Sequence, residues 1–256
     1  MKKLLAILLA AILCVGLMAG CGQTTIIVNM GGEDEAEETP DATEAPENTP
    51  EPAETAAPVV DDTPLPEGQL KTGLAIVSVV SSSSKAASAD ADGLAQADTT
   101  FAAVLVDGDG VIKDCLIDCV QTKIAVSATG EILTAADTAF DSKIVLDDAY
   151  DMRKASPIGA EWDEQANFLA DYVTGKTLDE VKGIAIDDGG KPTDADITTG
   201  CTMNIAEILT AVENAVANAK VLGAGVDDTL YMNCNAIVSS SSKAASADAD
   251  GLAQAD

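Results

Sequence analysis

Apolar and polar positions divide the chain into regions with different patterns. An almost unbroken apolar run fills Leu4 to Leu17, and an acidic stretch rich in proline follows up to about residue 69. From residue 70, short runs of apolar and β-branched residues come first and helical periodicities come later. This order predicts an α+β domain over residues 70–222, in which antiparallel strands precede the helices.

The strand patterns are separated by turn-forming residues. Asp107-Gly108-Asp109-Gly110 joins two of them and predicts a hairpin turn. A calcium loop would need further ligand positions and a terminal Glu, so we interpret this run as a turn. Ala128-Thr129-Gly130 predicts a second hairpin. The predicted strands cover 73–80, 101–106, 111–120, 124–126, 131–133 and 184–186.

Three helices are predicted after the strands. Ser156-Pro157 has the composition of an N-cap followed by proline at the first helical position, which predicts a helix from Pro157 to a stop at Gly175. Thr177 and Glu180 have the spacing of a capping box for a short helix that ends at Gly183. The last helix is predicted over 203–220.

Charge and composition exclude several classes of function. Lys and Arg total 14 while Asp and Glu total 43, and the net charge of −29 argues against nucleic-acid binding. The chain has no histidine, which excludes Ser-His and Cys-His catalysis and His-ligated zinc or haem. No general acid, base or nucleophile is evident, so a carrier or binding protein is favoured over an enzyme.

The N-terminus has the features of a targeting signal. Lys2 and Lys3 precede the apolar run, which is too short to span a bilayer comfortably. The small residues before Cys21 resemble the lipobox of bacterial lipoproteins. The resemblance implies a signal peptide over 1–20, cleavage before Cys21 and acyl chains such as palmitate on a lipidated Cys21, which would anchor the protein stably. An ordinary secreted protein with an incidental cysteine is the alternative.

The segment between this anchor and the domain, residues 21–69, is predicted to be a disordered tether. Residues 33–68 contain 13 acidic residues and seven prolines, and no basic residue. Such a composition cannot bury enough apolar surface to offset its ordering entropy. At about 3.1 Å per residue, this segment can reach on the order of 110 Å.

An internal repeat starts near the end of the sequence. Residues 239–256 are identical to residues 81–98, at an offset of 158. A period of this length indicates a domain duplication rather than a solenoid. We therefore expect 223–256 to be a linker and the truncated start of a second repeat domain, and an assembly artefact stays open as the alternative. A longer chain would carry a second acceptor residue near position 360.

One motif indicates chemistry. Asp196-Ile197-Thr198-Thr199-Gly200-Cys201-Thr202 precedes the last predicted helix and resembles the flavinylation motif of FMN-binding domains. The resemblance implies that Thr202 carries FMN through a phosphoester and that Asp196, Thr199 and Gly200 fill the other motif positions. Cys201 stands where alanine is usual. It also implies a partner, a flavin transferase that uses FAD as donor.

Elementary physics is compatible with an anion at this place. A phosphate on Thr202 would meet the free N–H groups and the positive dipole end of the predicted helix 203–220. Gly200 permits a close backbone approach or a positive φ. An unmodified, Thr-rich helix cap is the alternative.

Further stretches strengthen this resemblance. Several segments of the domain are similar to the pheromone-encoding FMN lipoproteins of Gram-positive bacteria. The resemblance implies a redox carrier on the extracytoplasmic face of the cell membrane, which takes electrons from a membrane quinol-linked donor to an extracellular acceptor. The alternative is a flavin-free surface lipoprotein that binds a solute or mediates adhesion. The similar segments are Gly73–Val77, Asp92–Asp98, Cys119–Lys123, Lys154–Gly159 and Gly175–Gly183.

For several other residues, the sequence pattern favours a structural role over a functional one. Cys115 and Cys119 share a strand face but lie about 13 Å apart, too far for a disulfide, so we expect buried thiols. Trp162 has the helical phase of a core residue, although it could stack on a flavin ring. Paired acidic residues are expected at the solvated surface. The cations that could screen a phosphate are Lys123, Arg153 and Lys154.

Overall fold

The computed structural model describes residues 24–28, 64–246 and 250–255, with the backbone alone for 24–28. The predicted signal peptide, Cys21 and nearly all of the predicted tether lie outside these residues. The strands are β1 (Thr24–Val28), β2 (Gln69–Val80), β3 (Gly93–Val106), β4 (Ile112–Val126), β5 (Ala139–Asp141), β6 (Lys220–Gly225), β7 (Asn235–Ile237) and β8 (Gly251–Ala255). The helices are α1 (Lys143–Leu146), α2 (Trp162–Val173), α3 (Leu178–Lys182), α4 (Ala195–Thr198) and α5 (Ala206–Ala217), with a 3-10 turn at Asp147–Tyr150.

A four-stranded antiparallel sheet forms the centre of the fold, in the order β4-β3-β2-β6. The predicted α+β class, with strands before helices, is confirmed. The predicted strand 124–126 is continuous with β4 rather than separate. The predicted turn between β3 and β4 is also confirmed, since Asp107 Oδ1 accepts the N–H groups of Asp109 and Val111 at 3.0 and 2.9 Å.

Helices α2 and α5 cover one face of this sheet and bury the main core against it. The two helices contribute buried side chains such as Leu169, Val173 and Val212, which meet Val104 and Ile117 of the sheet. At Gly73 in β2, an added Cβ would overlap the backbone carbonyl of Ala215 in α5. Glycine at this position therefore allows the helix to approach the strand closely.

Two predicted helices have wrong boundaries, for identifiable reasons. Helix α2 begins at Trp162 rather than Pro157, because Glu161 and Glu164 form the capping box that starts it. The last helix runs over Ala206–Ala217 rather than 203–220, because the chain then pairs with β2 as edge strand β6. The predicted capping box of α3 is confirmed, with Thr177 and Glu180 in their expected positions.

The duplicated sequence folds in the same way twice within the described residues. In the first copy the Ser81 N–H donates to the Gln96 carbonyl at 2.9 Å, and in the second Ser239 donates to Gln254 at 2.8 Å. A bridge between Lys85 and Leu94 in the first copy recurs as Lys243 with Leu252 in the second. These described contacts are therefore the same in both copies of the repeated sequence.

The second copy also acquires a neighbouring strand in the register of the first. In the first copy, residues 93–97 pair with residues 122–126 of β4, whose sequence is TKIAV. In the second copy, β8 pairs with β1, whose sequence is TTIIV, in the corresponding antiparallel register. A smaller core lies between the copies and is formed by Ala95, Ala97, Ile124, Val238 and Ala253.

Candidate functional site

Thr202 lies in the connection between α4 and α5 and is half-buried. The helix that follows begins at Ala206 with Ile205 as its N-cap, and Asn204 Oδ1 accepts the Ala206 N–H at 2.9 Å. The prediction that Thr202 directly precedes a helix starting at 203 is therefore wrong. Three residues separate Thr202 from the first helical residue, Ala206, so an anion on Thr202 would not directly contact the free N–H groups at the start of α5.

The backbone of Thr202 is instead held by a glutamine from α2. The backbone N–H of Thr202 donates to Gln165 Oε1 at 2.9 Å, and its hydroxyl is 3.4 Å from the same oxygen. Gln165 is fully buried. This contact joins the motif to a helix 37 residues earlier in the chain, so local sequence patterns did not reveal it.

The side-chain amide of Gln165 has a fixed orientation. Its Nε2 donates to the carbonyl of Ala160 at 3.2 Å and to Ser156 Oγ at 3.3 Å. Because these acceptors occupy the nitrogen, the oxygen must face Thr202. The hydroxyl proton of Thr202 can therefore point toward Gln165, which leaves the oxygen lone pairs available on the other side.

Gly200 and Cys201 pack the motif tightly against α2. A Cβ at Gly200 would overlap the ring of Phe168, so glycine serves the close approach and a positive φ is not involved. Cys201 is completely buried, and burial raises the pKa of its thiol to about 11. A protonated, inaccessible thiol at this position acts as a small core side chain.

Replacing Gly200 with alanine is expected to lower the free energy of unfolding by about 1–3 kcal/mol, because the new methyl group forces Phe168 to move. Urea unfolding measures this loss. Gly108→Ala is the matched control, since its Cβ would meet only ordinary contacts. Combining Gly200→Ala with Phe168→Leu should restore part of the loss, and full additivity of the two changes would contradict this packing.

The side chains of Asp196 and Thr199 are turned toward solvent. Asp196 and Thr199 are exposed on and directly after α4, and the Thr199 hydroxyl donates to the backbone carbonyl of Asp196 at 2.7 Å. Asp194 caps this helix by accepting the Asp196 N–H at 2.7 Å. Both motif residues are therefore accessible to another protein.

A cavity of about 460 Å³ lies near the motif, although Thr202 itself is not among the residues that line it. It lies where the end of β2, the middle of β3 and β4, and the starts of α1, α2 and α5 converge. Met203 and Asn204, the two residues after Thr202, form part of its wall. Its volume falls within the range of about 300–1,000 Å³ that is typical of small-molecule sites. The remaining lining residues are Val79, Val80, Ser81, Ser82, Asp98, Thr100, Cys119, Lys143, Tyr150, Met152, Trp162, Glu207 and Ile208.

Two aromatic rings and a lysine form one wall of the cavity. The Nζ of Lys143 lies 4.9 Å from the ring centroids of both Tyr150 and Trp162. Trp162 belongs to the main core, as its helical phase predicts, and it also lines the cavity. Sequence reasoning missed Lys143, because a single lysine outside any motif carries no signal of burial.

The three cations named from the sequence are engaged elsewhere or exposed. Arg153 donates to Glu164 at 3.0 Å and to Asp148 at 3.1 Å, and Lys154 pairs with Asp151 at 2.9 Å. The side chain of Lys123 is exposed on β4. None of the three lines the cavity near the motif.

The cysteines of the described domain are buried thiols, as predicted for Cys115 and Cys119. Burial, assisted by Asp114, raises the pKa of Cys115 to about 12. Cys234 donates to the buried carboxylate of Asp118 at 3.1 Å. The high pKa values make these thiols weak nucleophiles at neutral pH.

In the described domain, the acidic pair at Asp187 and Asp188 lies in a backbone turn and does not form part of a ligand cluster. Asp187 Oδ1 accepts the N–H groups of Gly189 and Lys191 at 2.8 and 2.9 Å. Within the residues that the structure describes, no group of three or more His, Cys, Asp or Glu side chains is arranged to hold a metal ion.

Comparison with protein-family models, curated proteins and solved structures gave no match. Among the described helices, none is long and apolar enough to cross a membrane. The functional argument therefore depends on the residues of this chain alone.

Proposed function

We propose that the protein is a membrane-anchored, extracytoplasmic electron carrier that holds FMN covalently on Thr202. The fold would be that of an FMN-binding domain, as the motif from Asp196 to Thr202 suggests. The observation that carries the proposal is the setting of the Thr202 hydroxyl. The backbone N–H of Thr202 donates to the fixed oxygen of Gln165 at 2.9 Å, the hydroxyl lies 3.4 Å from the same oxygen, and the next two residues line a 460 Å³ cavity.

The cavity fits the chemistry of a flavin. Trp162 and Tyr150 offer aromatic surface to a planar ring, while Asn204 and Lys143 offer hydrogen-bond donors to its carbonyl groups. Because Met203 and Asn204, the two residues after Thr202, line the cavity, FMN attached to Thr202 would have this cavity within its neighbourhood. When bound, FMN supplies the redox chemistry, and the protein supplies position and electrostatics.

Attachment of FMN requires one phosphoester exchange. The Thr202 oxygen bonds to the phosphorus on the flavin side of FAD, the bond from that phosphorus to the bridging oxygen breaks, and AMP leaves. The hydroxyl proton passes to a base of the flavin transferase. Gln165 holds the hydroxyl in one orientation for this attack, and the exposed Asp196 and Thr199 offer the transferase a surface to recognise.

The anchor and tether complete the proposal. Lipid on Cys21 would fix the chain to the outer face of the membrane, and the acidic segment up to residue 69 would let the domain move between partners. A quinol-linked membrane donor would supply electrons, and an acceptor outside the cell would take them. The high negative charge disfavours tight retention of free anionic FMN, which makes a covalent bond advantageous.

Incubation of the full chain with flavin transferase, Mg²⁺ and FAD tests this function. Intact mass should increase by one FMN, and the product should absorb blue light. A chain that gains neither mass nor colour would overturn the proposal. A colourless chain that still binds an unrelated small molecule in the cavity would favour the solute-binding alternative.

Gln165→Leu should slow flavinylation about tenfold or more, because the hydroxyl loses its orienting acceptor while the side-chain volume is retained. The rate of mass gain under limiting transferase measures this effect. Gln69→Leu, at the opposite end of β2, is the control and should react like the unchanged protein. An unchanged rate in Gln165→Leu, with folding intact by circular dichroism, would show that Gln165 does not position the acceptor.

A further inference from the structure

The cavity near the motif contains a buried positive charge without a carboxylate in contact. Lys143 is only 7% exposed. Among the described ion pairs, none includes this lysine, so no carboxylate oxygen there lies within 4.0 Å of its Nζ. Lysine is rarely buried to this extent unless a partner balances its charge. Its Nζ lies 4.9 Å from the ring centroids of both Tyr150 and Trp162, whose faces stabilise a cation without neutralising it.

Several titratable groups surround Lys143. Burial lowers its pKa, but Cys119 and Tyr150, with a further contribution from Asp98, raise the pKa above its ordinary value overall. The titratable groups around it are Cys119 from β4, Asp98 from β3 and Tyr150 from the 3-10 turn. Glu207 from α5 lines the same cavity. The ammonium of Lys143 therefore shares the cavity with two carboxylates, Asp98 and Glu207.

Helix α2 connects this ammonium to the proposed attachment point. Trp162, which contacts Lys143, and Gln165, which holds Thr202, are three residues apart on the same helix. Three residues correspond to about 4.5 Å along the helix axis, and their side chains lie on one face. Asn204, two residues after Thr202, and Lys143 line the same cavity, so a ring tethered to Thr202 that entered it would share the cavity with Lys143.

We propose that Lys143 balances the negative charge that the FMN ring gains on reduction and thereby raises the reduction potential of the bound flavin. The inference rests on the proposed attachment of FMN to Thr202. Two electrons from a quinol-class donor, together with one proton, convert the neutral oxidised ring into a monoanion. The ammonium attracts this anion and not the neutral ring, so it stabilises the reduced form selectively.

The test compares flavin-loaded variants of the full chain by reductive titration with dithionite against a reference dye. Lys143→Met and Lys143→Gln remove the charge, whereas Lys143→Arg keeps it. At a fixed ambient potential, each neutral variant should show an at least tenfold lower ratio of reduced to oxidised flavin, equal to a midpoint about 30 mV lower for a two-electron couple. Lys143→Arg should stay within threefold of the unchanged protein.

Lys176→Met is the matched control. Lys176 also lies over an aromatic ring, 4.1 Å from the centroid of Tyr172, but it does not line the cavity. Its replacement should leave the potential unchanged. Equal shifts in Lys176→Met and Lys143→Met would indicate general charge screening and overturn the specific role.

The pH dependence of the reduction potential in the unchanged, flavin-loaded protein is a second test of the role of Lys143 and requires no variant. Lys143 should lower the pKa of the reduced ring, so the transition from two-proton to one-proton reduction should occur at lower pH than in free FMN. A transition at the same pH as in free FMN, or an unchanged potential in loaded Lys143→Met, would overturn the role of Lys143. Absence of covalent FMN in the unchanged chain would instead overturn the proposed function itself.

Discussion

Thr202→Ala is expected to abolish covalent flavinylation completely. The substitution removes the only atom that can form the phosphoester at this position, while the backbone N–H of residue 202 keeps its bond to Gln165. Intact mass after treatment with flavin transferase and FAD should show no adduct, and the absorbance of the flavin should be lost. Stability should change by less than about 1 kcal/mol, because the lost hydroxyl contact is long and only half-buried.

Two matched variants make this result specific. Thr202→Ser keeps a hydroxyl at the same place and should still gain one FMN, with a lower rate because serine has more rotamer freedom. Thr210→Ala removes an exposed threonine from α5 and should be loaded normally. An undiminished adduct in Thr202→Ala would locate the acceptor at another residue.

Much of the fold follows from local patterns in the sequence. The Asp107 turn and the capping box at Thr177 depend on residues close together in the chain, and these predictions are confirmed. The predicted strands at 73–80, 101–106, 111–120 and 124–126 lie within the longer strands β2, β3 and β4. The predicted strands at 131–133 and 184–186 are wrong, because each of these segments forms only an isolated bridge. The starts and ends of α2 and α5 depend on competition between neighbouring signals. Glu161 with Glu164 replaces Ser156 as the cap of α2, and pairing with β2 ends the last helix early.

Only part of the candidate site could be predicted from the sequence, for a similar reason. The motif from Asp196 to Thr202 is local and could be identified by its spacing. Gln165 and Lys143 join it only through tertiary packing, and neither stands in a pattern that distinguishes it from other polar residues. Buried polar groups that satisfy a distant partner leave no periodic signal, so side-chain contacts are needed to find them.

Glu161→Gln is expected to lower the free energy of unfolding by about 2–4 kcal/mol, the largest loss of stability among these variants. Glu161 is 2% exposed, and its two carboxylate oxygens accept the N–H groups of Met152 and Arg153 at 2.8 Å each. An amide can accept only one of them and sets its own NH₂ group against the other. Urea unfolding measures the change, and Glu131→Gln on the exposed surface is the control.

The same substitution should also weaken flavin loading, because Glu161 connects the start of α2 to the segment that carries Tyr150 and Met152 into the cavity wall. At temperatures where Glu161→Gln is still folded, we expect a slower gain of FMN than in Glu131→Gln. The loading defect should be rescued by lower temperature, unlike the complete loss in Thr202→Ala. Loading at the unchanged rate, together with a loss of stability, would show that Tyr150 and Met152 are dispensable for the cavity. An undiminished stability would show that the two N–H groups find other acceptors, because a buried donor that loses its carboxylate cannot stay unpaired without cost.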